Sequence, residues 1–183
     1  VLGTEKSFFE PYFTILALGR LGAHEFMYGS DLDILFIVDQ KQFDQQATQP
    51  LVKVAQRLLH MLTMRMPEGS LYPIDTALRP SGAQGPLVST WEGCLAYHQQ
   101  NAMVWEKQSL LRARPVAGSL ELGTRVTETL ENFRYPAILP ENAKSEIKRL
   151  RLRMEHERTK ETPNRADIKY GKGGISDIQF IVE

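Results

Sequence analysis

A mixed α/β (α+β) fold, with a sheet-bearing core followed by a helical extension, is what the order of patterns along this chain predicts. Three observations carry the prediction. Two short and almost wholly apolar runs, 12–19 and 31–39, have the composition of strands covered on both faces. Apolar residues recur at helical spacing over 49–66 and again over 141–160. The strand-like segments come first and the helical ones mostly later, which places a core at residues 1–115 and a helical extension at 116–183.

Taken in order, "YFTILALG" (12–19) is a buried strand closed by Gly19. "RLGAHEFMYGS" follows as a short turn or helix punctuated by Gly22 and Gly29. "DLDILFIVD" (31–39) is the second strand. In 49–66, Leu51, Val54, Leu58, Met61 and Leu62 form one apolar stripe, and Pro67 and Gly69 end the helix. "LYPIDTALR" (71–79) reads as a third strand, which Pro73 confines to an edge or a strand start. "PSGAQGP" is a loop. Ser89 or Thr90 then caps a helix with Glu92 in its first turn. A second helix, 101–114, stops near Pro115, and a long charged one covers 141–160.

The composition, 42% hydrophobic and 24% charged, is that of an ordinary globular protein. Lys plus Arg and Asp plus Glu balance at 22 each, so bulk charge points to neither nucleic acid nor membrane as a partner. The single cysteine, Cys94, excludes an intrachain disulfide and a cysteine-cluster metal site, and it fits a cytoplasmic protein. No apolar run reaches the roughly 20 residues of a membrane span, and the first residues lack the pattern of a signal peptide. The chain begins without methionine and stops inside an apolar pattern, so a piece of a longer polypeptide is expected.

The chemistry concentrates at the mouth of the second strand. Residues i and i+2 of a strand project from one face, about 6–7 Å apart along the chain. Asp31 and Asp33 therefore converge, while Leu32 and Ile34 turn to the other side. Two carboxylates so placed call for a cation between them or for a proton on one. Mg²⁺ suits the position, because it takes one or two carboxylates together with substrate phosphates. A third carboxylate on a neighbouring strand completes a two-metal clamp, and Asp75 is the aspartate in another predicted strand. The bland alternative is a pair that only caps a turn. With seven aspartates in the chain, chance alone yields a D-x-D in roughly a quarter of such sequences. Context favours the sharper reading, since Gly19 permits close backbone approach to a ligand and Arg20 adds a cation in the same turn.

The strand, glycine turn and aspartate pair resemble the nucleotidyltransferase superfamily of DNA polymerase β. Four longer blocks, "ALGRLGAHEFMYGSDLDILFIVD", "LYPIDTALRPSGAQGPLVST", "WEKQSLLRARPVAG" and "DIKYGKGGISDIQFIVE", resemble the glutamine synthetase adenylyltransferase/adenylyl-removing family. They follow the family's order and span nearly the whole chain. The resemblance implies a polymerase-β-like nucleotidyltransferase core that transfers AMP from ATP to a tyrosine of glutamine synthetase. It also implies two Mg²⁺ ions and, for the full protein, regulation by a PII signalling protein. That family carries two related halves; "LRPSG" with "WEKQSLLRARPVAG" is more like the adenylylating half than the one that removes AMP by phosphorolysis.

By resemblance, Asp31, Asp33 and Asp75 match the metal carboxylates. Gly19, Arg20, Gly22, Ser30 and Arg79 are the nucleotide-binding candidates, with Arg20 where a lysine is usual. The chain departs from the family at Ala77, where arginine is customary, at Ala23, where a second glycine is, and at Gln179, where glutamate is. A non-catalytic regulatory fragment is the competing reading from a different class. Arg112 and Arg114 are expected to place at most one guanidinium in the cleft. Trp105 and Glu106 are expected in the core and in an ion pair, and the basic helix 144–160 presents a solvated face or docks an acidic surface. "RADIKYGKGGISD" brings Asp167, Lys169 and Asp177 near the cleft without declaring their work. The scattered histidines have no metal-ligand spacing.

Overall fold

A computed structural model describes residues 10–28, 30–40 and 48–182; Gly29 of the glycine-punctuated turn lies outside them. The first strand, β1 (Phe13–Ala17), is buried along its whole length. It runs antiparallel to β2 (Leu32–Val38), with Phe13 opposite Val38 and Ala17 opposite Ile34. Between them the one-turn helix α1 (Gly19–Gly22) reverses the chain. β2 continues the sheet with two short parallel neighbours along its other edge. β3 (Ile74–Asp75) pairs with Leu32–Asp33, and β4 (Val88–Thr90) pairs with Phe36–Val38. On the far side of β1 lies antiparallel β5 (Arg114–Gly118). The sheet is therefore mixed and the architecture α+β, as the sequence predicts.

Alternation along β1 and β2 sorts the core into two layers. Phe13, Ile15, Ile34, Phe36 and Val38 face α2 (Thr48–Thr63), which buries Leu51 and Ala55 against them. The Phe13 and Phe36 rings stack with centroids 6.0 Å apart. Leu16, Leu18, Leu35 and Ile37 pack on the other side with Cys94, Leu110, Leu122 and Val126. Those residues come from α3 (Trp91–Gln100), α4 (Val104–Leu110) and α5 (Leu120–Thr129). Thr90 caps α3 as expected, accepting the Gly93 N–H at 3.0 Å. His98 is buried between the Tyr97 and Phe133 rings, a core histidine whose pKa burial lowers to about 4. After the short helix α6 (Glu131–Arg134) come α7 (Ala143–Arg158) and α8 (Ile175–Val182).

Several expectations need correcting. The strand over 71–79 shrinks to two residues, because beyond Asp75 the backbone is turned back by its own side chain. The helix over 101–114 is confined to Val104–Leu110, and Arg114–Gly118 is an edge strand instead. Pro115 is tolerated there because β5 pairs on one side only. Trp105 is 40% exposed rather than core. Glu106 is buried, but among the described residues its partners are the Tyr97 hydroxyl at 2.7 Å and the Met103 N–H at 2.8 Å, not a cation. Nor is 144–160 simply a solvated face, since Arg151 is buried within it.

Gly22 is where α1 touches the rest of the fold most tightly. A Cβ there would lie 2.1 Å from the Arg112 carbonyl oxygen and 2.8 Å from that of Ala17. Both are backbone atoms with nowhere to retreat. Gly22→Ala is therefore expected to destabilise the chain by about 2–3 kcal/mol. A melting temperature within a degree of wild type in thermal unfolding would contradict that packing.

Candidate active site

Gly19 begins α1 with φ +49, in the left-handed region that favours glycine. The space on its Cα is already taken: a Cβ would sit 2.4 Å from Oδ2 of Asp33. The Leu18 N–H donates to the Asp33 carbonyl at 2.9 Å, which locks the turn onto the start of β2. The Arg114 guanidinium holds the other end of α1, donating to the carbonyls of Leu21 at 2.9 Å and Gly22 at 3.1 Å. Arg114 thus braces the turn from behind while Arg112 lines the cleft. The expectation that at most one of the two enters the cleft holds, although they lie on a turn and a strand rather than a helix.

Asp33 and Asp75 are Cα partners across the parallel β2–β3 pair, so their side chains share a face. Asp31, two residues before Asp33, is exposed at the strand mouth. The crowding leaves a signature. Burial, then the negative charges of Asp75 and Asp31, push the Asp33 carboxyl up to about 6, while Lys169 and Arg20 pull the other way. Asp75 is more exposed, and one of its oxygens accepts the Ala77 N–H at 2.7 Å.

A cavity of about 160 Å³ opens between the turn and the carboxylates. Of the metal and nucleotide-binding candidates it gathers Gly19, Arg20, Ser30, Asp31 and Asp33. Ser30 is buried and accepts the Met27 N–H through its hydroxyl at 3.3 Å. Arg112, Lys169 and Gln179 complete the wall, the last two delivered by the C-terminal segment. Arg112 also pairs with Glu25 at 2.8 Å. Three candidates are not among the lining residues. Asp75 stands beside Asp33 on β3. Gly22 is packed beneath Arg112, and Arg79 folds into its own loop, donating to the carbonyls of Thr76 (2.8 Å), Gly85 (3.1 Å) and Ala83 (3.2 Å). Asp167 and Asp177 organise the loop behind Lys169 and are not among the residues lining the cavity.

The donor set fits a hard cation that shares its shell with a substrate. No three acidic, imidazole or thiol groups among the described residues cage an ion unaided. Carboxylates offered from one wall, with room opposite for phosphate oxygens and water, are how Mg²⁺ is commonly held. Burial first, and carboxylate repulsion second, raise the Asp33 pKa, and a nearby cation would oppose both by favouring the ionised form.

That shift fixes a pH dependence. Asp33 binds a proton more tightly in the folded chain than in the unfolded one. Its contribution to stability is therefore greatest at low pH and falls as pH rises from about 4 to about 6. Without divalent metal, Asp33→Asn should melt no lower than wild type at pH 7, and it should lack this decline. A sharply lower melting temperature would make Asp33 a structural residue.

Comparison with known proteins identifies the family. Residues 4–129 match the family model described as glutamate-ammonia ligase adenylyltransferase. Similar curated proteins carry the name bifunctional glutamine synthetase adenylyltransferase/adenylyl-removing enzyme. That of Nitrosococcus oceani is 37% identical over 95% of this chain and 19% of its own length. Those of Streptomyces avermitilis and Methylococcus capsulatus are 40% and 37% identical, over 93% and 94% of this chain. The chain spans about a fifth of the length of such relatives, 19% in the first case. With two thirds of its residues under the family model and this level of identity throughout, the chain belongs to the glutamate-ammonia ligase adenylyltransferase family.

Proposed function

We propose that this chain is a nucleotidyltransferase domain that moves AMP from ATP onto a tyrosine of glutamine synthetase in the cytoplasm. The observation that carries the proposal is the in-register Asp33–Asp75 pair, with Asp31 beside it, facing a turn whose backbone has been brought against Asp33. The names of the relatives supply the substrate. By resemblance, a PII signalling protein is the regulatory partner of the full-length protein.

Asp31, Asp33 and Asp75 would hold two Mg²⁺ ions, which when bound lower the pKa of the tyrosine hydroxyl and neutralise charge on the departing pyrophosphate. The protein's own groups do the rest. Arg20 and Arg112, which line the same cavity as Asp31 and Asp33, bind the phosphate oxygens. The glycine turn lets the phosphate chain approach the backbone closely. Asp75, the more exposed of the strand pair, takes the phenolic proton. The tyrosine oxygen then forms its bond to the α-phosphorus as the bond to the bridging oxygen breaks, and pyrophosphate leaves. Arg79 shapes this reaction at one remove, by fixing the loop that follows Asp75.

The relatives' name couples adenylylation with AMP removal, and the same carboxylates would serve the reverse chemistry with inorganic phosphate as nucleophile. "LRPSG" and "WEKQSLLRARPVAG" favour the adenylylating assignment. Incubating the chain with α-labelled Mg-ATP and unmodified glutamine synthetase should label the synthetase, and Asp33→Asn should cut the rate at least about a hundredfold. Phosphate-dependent release of ADP from adenylylated synthetase, without labelling in the forward direction, would assign the AMP-removing half. Mg-ATP binding indifferent to Asp31 and Asp33 would leave a non-catalytic fragment.

A further inference from the structure

The C-terminal segment supplies Lys169 and Gln179 to the cavity, and the loop that carries Lys169 is held by several hydrogen bonds. Asp167 accepts the backbone N–H groups of Lys169 and Tyr170 through Oδ1, both at 2.9 Å, and that of Lys160 through Oδ2 at 3.1 Å. Arg151, buried in α7, donates from Nη2 to the carbonyls of Tyr170 and Gly171, both at 3.1 Å, and from Nε to Asp177 at 2.6 Å. The second oxygen of Asp177 accepts the Gly173 N–H at 2.7 Å. At Gly171 a Cβ would lie 2.5 Å from the Asp167 carbonyl oxygen, so the loop closes on itself without room for a side chain.

What all these bonds leave outside is the side chain of Lys169. It lines the same cavity as Asp31 and Asp33. Its ammonium makes no salt bridge among the described residues; its side-chain neighbour is Tyr170, whose ring centre lies 4.8 Å away and whose hydroxyl it interacts with. The ring restricts where the long stem can go, which reduces the entropy lost when the ammonium binds something. The cavity's chemistry says what that is. At about 160 Å³ it is smaller than the roughly 300–1,000 Å³ of pockets that enclose whole ligands. Its walls carry cations and carboxylates with no aromatic or aliphatic side chain. Such a space suits a chain of phosphates with its cation, and it leaves a purine base outside.

We propose that Lys169 binds the phosphate chain of the nucleotide, so that the helical extension supplies a ligand-contacting cation to a site whose carboxylates belong to the sheet. This rests on the nucleotidyltransferase reading. Lysine acts on phosphate as a point charge. Arg151, Asp167 and Asp177 are positioning residues that act through it. The extension is thereby part of the active site rather than an appendage to it.

Titration calorimetry of the 183-residue chain with Mg-ATP tests the assignment. Lys169 is exposed, so Lys169→Gln should melt as wild type does. Its Mg-ATP affinity should fall about ten- to hundredfold, and Lys169→Arg, which keeps the charge, should recover most of the loss. Unchanged affinity in Lys169→Gln, with affinity lost in Asp33→Asn, would overturn the inference while leaving the nucleotidyltransferase reading standing. A loss that Lys169→Arg does not recover would also overturn it, because geometry rather than charge would then be at stake. A wild-type chain that does not bind Mg-ATP would overturn both.

Discussion

The contact between the Gly19 backbone and the Asp33 carboxylate sets the geometry of this molecule. A Cβ at position 19 would lie 2.4 Å from Asp33 Oδ2, and the left-handed φ of +49 favours glycine there, at the start of a helix only one turn long. That short helix must then lie close to β5. Gly22 gives way to the Arg112 carbonyl, and the Arg114 guanidinium takes the carbonyls that α1 leaves exposed. One close approach thus fixes β1, α1, β2 and β5 relative to one another. The acidic strand mouth is held against a turn from which a ligand can be met by backbone.

The electrostatic consequence is a site under strain that the apolar core sustains. Asp33 carries a raised pKa because burial and two neighbouring carboxylates oppose its ionisation. The two layers of core flanking β1 and β2 hold the strands in place against that repulsion. Such an arrangement is unfavourable in isolation, and a carboxylate perturbed in this way beside a cavity marks a candidate ligand site. Three cations, Arg20, Arg112 and Lys169, line the same cavity.

Much of this was legible in the sequence where the signal is local. β1 and β2 were readable because strands covered on both faces must be almost wholly apolar. The Asp31–Asp33 pair and Gly19 were readable because two-residue periodicity and a glycine before a strand constrain neighbours only. β3 was overestimated because "LYPIDTALR" has strand-forming composition, while its length is set by an Asp75 side chain that turns back to the Ala77 N–H. β5 was missed because a five-residue edge strand containing Pro115 carries no periodic signal, and it exists only because β1 offers an unpaired edge. Arg79 looked like a ligand-facing cation, yet its fork of donors is used by nearby loop carbonyls, a choice that a linear pattern does not record. Lys169 and Gln179 reach the cavity by tertiary folding from the far end of the chain. Composition gave no hint of that, and only motif resemblance drew attention to the segment.

The central claim is that Asp31, Asp33 and Asp75 form one metal-binding unit, which the sheet register assembles from two strands. Titration of the chain with Mn²⁺, followed by electron paramagnetic resonance in the presence of a non-hydrolysable ATP analogue, tests it most directly. Bound Mn²⁺ should appear in wild type, and binding should weaken about tenfold or more when either Asp33 or Asp75 is changed to asparagine. Equal Mn²⁺ binding by wild type and both variants would contradict the account, because the facing carboxylates would then be holding nothing.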